Sequence, residues 1–245
     1  MSAQRTAATA SRVLLQLRHD PRTLALLFVV PSVLLLLLKY LFDGQPETFD
    51  RLGGPMLGLF PFISMFLVTS IAMLRERTSG TLERLMASPI AKADLLFGYG
   101  LAFGCVATVQ ALLTSGFAFG ALGLDVAGSP ALVLLLAVAN ATLGMALGLF
   151  LSAFASTEFQ AVQFMPAFVL PQLLLCGLFV ARDQMADALD TIAGALPLTY
   201  AFDALDRVTS RSGWSGRLTL DVCVLGAAVV LALGLGAATM RRRTP

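Results

Sequence analysis

Six long apolar runs dominate the sequence, approximately Thr23–Phe42, Leu52–Leu74, Leu95–Leu122, Ala131–Phe154, Phe159–Val180 and Leu218–Met240. Crossing a hydrocarbon core of about 30 Å takes roughly 20 apolar residues in a helix, because every backbone polar group must be satisfied within the segment. Six runs of that length make lipid the solvent for most of the chain. Composition agrees, since 57% hydrophobic and only 13% charged residues over 245 positions is more apolar surface than a soluble domain can bury. The expected fold is an all-α membrane protein: a six-helix transmembrane domain over 23–240, an N-terminal cytoplasmic segment over 1–22 and a basic tail over 241–245.

Charge sets the expected topology. Arg5, Arg12, Arg18 and Arg22 precede the first run, Asp43, Glu47 and Asp50 follow it, a basic stretch occupies 75–94, and Arg241, Arg242 and Arg243 close the chain. The positive-inside rule puts both termini and the 75–94 loop in the cytoplasm and the 43–51, 121–130 and 181–217 segments outside. The turn Ser152–Glu158 has no basic residue and follows only by alternation. The first run is too long for a cleaved signal peptide, so it is expected to be retained as a helix. Within residues 7–20, Ala10, Val13, Leu14 and Leu17 share one helical face and Arg12, Gln16, Arg18 and His19 lie on others, which predicts an amphipathic helix on the inner membrane surface. Asp20-Pro21 ends it.

Several chemistries are excluded at this level. The formal charge of +2 is clustered at membrane flanks, which argues orientation and no nucleic-acid partner. Cys105, Cys176 and Cys223 sit singly in apolar runs, without disulfide or zinc spacing, and read as small core hydrophobes. With His19 as the only histidine, neither a His triad nor a multi-His metal site can form in one chain, and no catalytic residue, metal or cofactor is expected here. A phosphate-binding loop needs Lys followed by Ser or Thr, but the two lysines occur as Lys39-Tyr40 and Lys92-Ala93. Any ATP-driven work must come from another polypeptide.

The most informative stretch runs from Leu74 to Ile90, between the second and third apolar runs. Gly80 opens a short helix over about 80–88 and Pro89 closes it. Leu82, Leu85 and Met86 fall at i, i+3 and i+4, with Glu83 and Arg84 pointing elsewhere, a pattern suited to a groove on a soluble partner. A solvated, topology-fixing loop fits the same composition. The residues Arg75, Glu76, Arg77, Gly80, Thr81, Leu82, Glu83, Leu85, Ser88 and Pro89 resemble the cytoplasmic coupling segment of type-2 ABC exporter permeases, the class that includes daunorubicin-resistance permeases. A second match covers Phe164-Met165-Pro166, Pro171, Cys176-Gly177-Leu178-Phe179, Met185 and Leu196-Pro197-Leu198-Thr199-Tyr200 with Asp203, Ala204 and Leu205. Ala181 and Asp206 depart from that class, where proline and arginine are common.

The resemblance covers nearly the whole chain. It implies a coupling helix of Gly80, Thr81, Leu82, Glu83, Arg84, Leu85 and Met86 docking on an ATP-hydrolysing subunit, which binds the ATP and Mg. It also implies a membrane-surface hinge of Arg75, Glu76 and Arg77, and short outer helices over about 184–210 that dip back toward the membrane. The complex implied is two permease subunits, as homodimer or heterodimer, with two cytoplasmic ATPases in a bacterial plasma membrane. It would export a hydrophobic or amphipathic drug, lipid, glycolipid or polymer.

Polar residues inside the runs are the remaining candidates. Gln110, Asn140, Gln160, Gln163 and Gln172 either line a pathway or tie helices together, the latter worth about 0.6–2 kcal/mol each. Glu158, at a run edge, is either solvated or paired with a cytoplasmic arginine. Pro166 and Pro171 would kink the fifth run, for gating or for packing. Gly144 and Gly148 give the fourth a small-xxx-small face. Two other classes fit parts of the sequence. A secondary transporter or channel would need intramembrane charges and an inverted repeat. A membrane prenyl- or phospho-transferase could use Asp183, Asp187, Asp190, Asp203 and Asp206 for magnesium, though on the outer side and without a basic phosphate cradle.

Overall fold

The computed structural model describes residues 2–87, 92–211 and 213–239, with the side chains of Glu83, Met86, Ala87, Lys92 and Ala93 outside that description. The described residues are helical almost throughout: α1 (Ala3–Arg18), α2 (Pro21–Leu41), α3 (Pro46–Thr78), α4 (Thr81–Ala87), α5 (Lys92–Gly120), α6 (Pro130–Leu151), α7 (Glu158–Leu175), α8 (Asp187–Ala193), α9 (Pro197–Ser210) and α10 (Gly216–Thr239). Among them, α2, α3, α5, α6 and α10 are long and apolar enough to cross a membrane, which makes the chain a multi-pass membrane protein. The fifth expected run is shorter than anticipated. It ends at Leu175, and in 18 residues α7 holds Glu158, three glutamines and two prolines. Five helices therefore meet the test where the apolar runs number six.

Helix α3, which holds the second apolar run, is longer than that run. Its 33 residues make a rod of about 50 Å, well over the bilayer core, so both ends project. The acidic 46–51 segment, expected as outer loop, is the first turn and a half of α3, started by Pro46 at a position where a missing N–H costs nothing. At the other end Arg75, Glu76 and Arg77 are still helical. Gly80, at φ +71°, then reverses the chain into α4, a left-handed conformation that a side chain resists.

Helix α3 and helix α6 form the centre of the bundle, with α2 and α10 exposing most of their side chains at its edge. Their close approach rests on Gly144 and Gly148, which face the carbonyls of Phe62 and Phe66 with no space for a Cβ. Gly54 and Gly58 do the same on α3, against Thr209 and Leu205 of α9. The amphipathic α9 thereby wedges among α3, α6, α7 and α10, burying Leu198, Ala201, Ala204, Leu205 and Val208. It is re-entrant: the Ala201 carbonyl lies beside Asn140, midway along α6, whereas Val208 and Thr209 meet the α5–α6 loop at Gly128 and Ala127.

Helix α1 starts earlier than expected and packs along α5, burying Thr9 and Val13 while Leu14 and Leu15 remain exposed. Asp20 caps α2, its carboxylate accepting from Thr23 N at 3.1 Å and Thr23 Oγ1 at 2.6 Å. Those hydrogen bonds hold the Asp20 carboxyl below its ordinary range. Of the three cysteines only Cys176 is a core residue. Cys105 and Cys223 are exposed, on helix faces turned away from the bundle.

Candidate functional site

The end of α1, the end of α3, the start of α5, the start of α7 and α4 form one face of the bundle. Arg75 donates from Nε and Nη2 to the two Glu158 oxygens, at 2.7 and 3.1 Å, joining the end of α3 to the start of α7. Both side chains are more than half exposed, so the fork orients the two helices more than it stabilises them. Glu76 turns the other way. Its Oε1 accepts from Arg12 of α1 at 3.0 Å, and the same guanidinium donates to Tyr99 Oη of α5 at 2.6 Å. Arg77 is half-buried, and its Nε and Nη2 are shielded from solvent without a partner among the described residues. The three residues expected to form a hinge thus belong to three separate environments around the α3 end. Arg12 and Tyr99, which complete one of them, are not marked by any motif.

Helix α4 is short and held by its apolar side. Leu82 is 5% exposed and packs in a cluster with Met73, Leu95, Leu96 and Tyr99, with Leu85 partly buried against it. The face expected to enter a partner's groove is therefore turned into the bundle at Leu82. Arg84 is exposed and Thr81 half-buried, with Thr81 Oγ1 sharing a hydrogen bond with Ser79 Oγ at 3.0 Å. Gly80 accepts from Arg84 N at 3.1 Å as the first bond of α4. The Glu83 and Met86 side chains, Ser88, Pro89 and the 241–245 tail lie outside the described residues. Because Leu82 anchors α4, Leu82→Asp is expected to destabilise the subunit by at least about 3 kcal/mol, an unpaired carboxylate in a packed core. Thermal unfolding of the purified chain in detergent checks this, and an unchanged midpoint would contradict the placement of Leu82.

The polar residues of the spans divide clearly. Gln110 is fully buried and its Nε2 donates to Leu27 O at 2.9 Å and Ser64 Oγ at 2.5 Å, tying α5 to α2 and α3. Asn140 reaches Ala201 O of α9 at 3.5 Å, the outer limit of a hydrogen bond. Gln172 accepts from Leu198 N at 3.4 Å, satisfying a first-turn N–H of α9. Gln160 belongs to a capping pair: Thr157 Oγ1 accepts from Gln160 N at 3.2 Å and Gln160 Oε1 accepts from Ser156 N at 2.8 Å. Gln160 and Gln163 are both exposed, and Gln163 shares the open side of α7 with Pro166 and Pro171.

A second polar group lies at the opposite end of the bundle and includes a residue that the apolar runs concealed. Asp221, near the start of α10, is fully buried, with Arg207 of α9 at 3.4 Å and Arg217 at 3.9 Å. A carboxylate inside an apolar run was the available signal. Arg182 pairs with Asp190 at 2.6 Å and lies 3.9 Å from Asp203. Among the described residues no three His, Cys, Asp or Glu side chains come together as a metal site, and these aspartates are paired with arginines.

Residues 4–208 match the ABC-2 type transporter family. The chain belongs to that family. The ABC-2 match runs from the first turn of α1 into the last turn of α9 and so includes α4 and the re-entrant helix. The chain is 28% identical over 164 residues to "ABC transporter G family member 20" of Dictyostelium discoideum, covering 66% of this chain and 22% of that protein. It is 28% identical over 153 residues to the probable multidrug ABC transporter permease YbhR of Escherichia coli K12, covering 62% and 42%. To the permease YbhS of the same strain it is 28% identical over 185 residues, covering 72% and 47%. It spans less than half the length of each.

Proposed function

We propose that this ABC-2 chain is the permease subunit of an ATP-driven exporter, carrying no ATPase of its own. Two such subunits, each with six spans once α7 is counted, would pair around a central pathway and bind two cytoplasmic ABC ATPases that hold the ATP and Mg. Both termini and α4 face the cytoplasm of a bacterial cell, and the cargo is hydrophobic or amphipathic. The observation that supports this best is the position of α4. It is a seven-residue helix of about two turns, hung on Gly80 beyond the end of the longest rod in the bundle and anchored to α3 and α5 by Leu82. A push on its exposed side is transmitted directly to α3, and through Arg75–Glu158 and Arg12–Glu76 to α7 and α1.

Co-purification tests this. The tagged subunit, extracted from its native membrane in mild detergent, is expected to retain an ABC ATPase. Arg84→Glu, which reverses a charge on the exposed side of α4, is expected to cut retention about tenfold without lowering the unfolding midpoint, since rim charges of an interface are worth roughly 1–2 kcal/mol. Failure to retain any ATPase would move the assignment to a secondary transporter.

A further inference from the structure

A crevice of about 590 Å³ runs between α1, α2, α3 and α5, apart from the exposed side of α4. Its floor is α3 from Ser64 to Glu76, about 18 Å of helix, or a little over half the hydrocarbon thickness. Leu27 and Val30 of α2, Leu67 and Val68 of α3 and Phe103 of α5 make apolar walls. Its mouth is polar, with Asp20, Arg75 and Glu76.

The charges at the mouth are unequally satisfied. Arg75 is engaged by Glu158, and Arg12 is engaged by Glu76 Oε1 and Tyr99. Glu76 is only 8% exposed, and its Oε2 is shielded from solvent with no hydrogen-bond partner among the described residues. A buried carboxylate oxygen without a donor carries the full cost of its desolvation, which a cationic donor entering the crevice would relieve.

We propose that this crevice binds an amphipathic ammonium, its alkyl tail along α3 and its primary ammonium donating to Glu76 Oε2 beside the Asp20 carboxylate. The apolar depth matches a single chain entering from the inner leaflet, and the mouth offers the Asp20 and Glu76 carboxylates while Arg75, the one guanidinium that lines it, is engaged by Glu158. An aminophospholipid of the surrounding bilayer and a free long-chain amine share this chemistry. The site lies within one subunit and depends neither on an ATPase nor on a second permease.

The test uses the full chain in phosphatidylcholine nanodiscs, a diazirine-bearing dodecylamine as photoprobe, and mass mapping of the adducts. Adducts are expected on α2 and α3 along the crevice, with no competition from dodecyl sulfate. Glu76→Gln is expected to lower their yield about tenfold, the equivalent of one charge-assisted hydrogen bond. Val68→Trp, which fills the crevice without touching the carboxylate, is expected to abolish them. Discs containing phosphatidylethanolamine separate the sources: competition makes the lipid the occupant, and undiminished labelling makes it the free amine. Adducts spread evenly over the outer faces of α2 and α10, equal competition by dodecyl sulfate, or yields insensitive to both substitutions would overturn the proposal.

Discussion

Gly144→Val is expected to cost the subunit about 3 kcal/mol or more, enough to deplete the folded protein from the membrane. The physical cause is local and rigid. A Cβ at position 144 overlaps the Phe62 carbonyl and Cα of α3, which are backbone atoms that no rotamer change can move aside. In a bilayer the two helices gain nothing from apolar burial against each other that lipid does not also offer, so their association rests on close van der Waals approach. Separating α3 from α6 also loosens α9, because Asn140 sits between them. Size-exclusion profiles and unfolding midpoints in detergent measure the effect. Gly104→Ala, where a Cβ meets nothing within 4 Å, serves as the control and is expected to stay within about 1 kcal/mol of the parent. Equal midpoints for Gly144→Val and the parent would show that α3 and α6 do not pack through this face.

Arg207→Ala is the second substitution expected to matter greatly, at about 2–3 kcal/mol. It leaves Asp221, with no solvent exposure, to Arg217 alone at 3.9 Å. Removing one partner of a buried pair strands the other charge at a typical cost of about 3–5 kcal/mol, and the lower figure here reflects that Arg207 keeps a third of its side chain in solvent. The double variant Arg207→Met with Asp221→Leu removes both charges and is expected to return to within about 1 kcal/mol of the parent, because apolar replacements of a buried pair are commonly neutral. A double variant as unstable as the sum of the two singles would refute this account of the Asp221 network.

How far the sequence reaches can be seen in Leu82 and Asp221. The 3.6-residue spacing of Leu82 and Leu85 identified a short helix with one apolar side, but the same pattern serves a helix that docks outward and one that leans back on its own bundle. Which of the two holds depends on Met73 of α3 and Leu95 and Tyr99 of α5, which share a buried cluster with Leu82. Asp221 shows the converse. Its apolar neighbours define a span, and an average over the run hides a single carboxylate whose partner, Arg207, comes from another helix. Likewise Gln160 is recognisable in the sequence as a polar residue in a span, while its role as half of a helix cap depends on the chain turning at Thr157.

By itself the sequence determined that the chain lives in lipid, that it is built of long helices and that a short helix follows Gly80. Apolar length, helical period and glycine conformation are properties of consecutive residues. The tertiary structure alone decided that α3 and α6 are the axis of the bundle, that α9 re-enters among them and that Leu82 faces inward. It also decided that Arg12, Glu76 and Tyr99 meet at the mouth of a crevice. Those outcomes depend on which helix faces come within contact distance, and in a chain so uniformly apolar the linear pattern carries almost no signal about which faces those are.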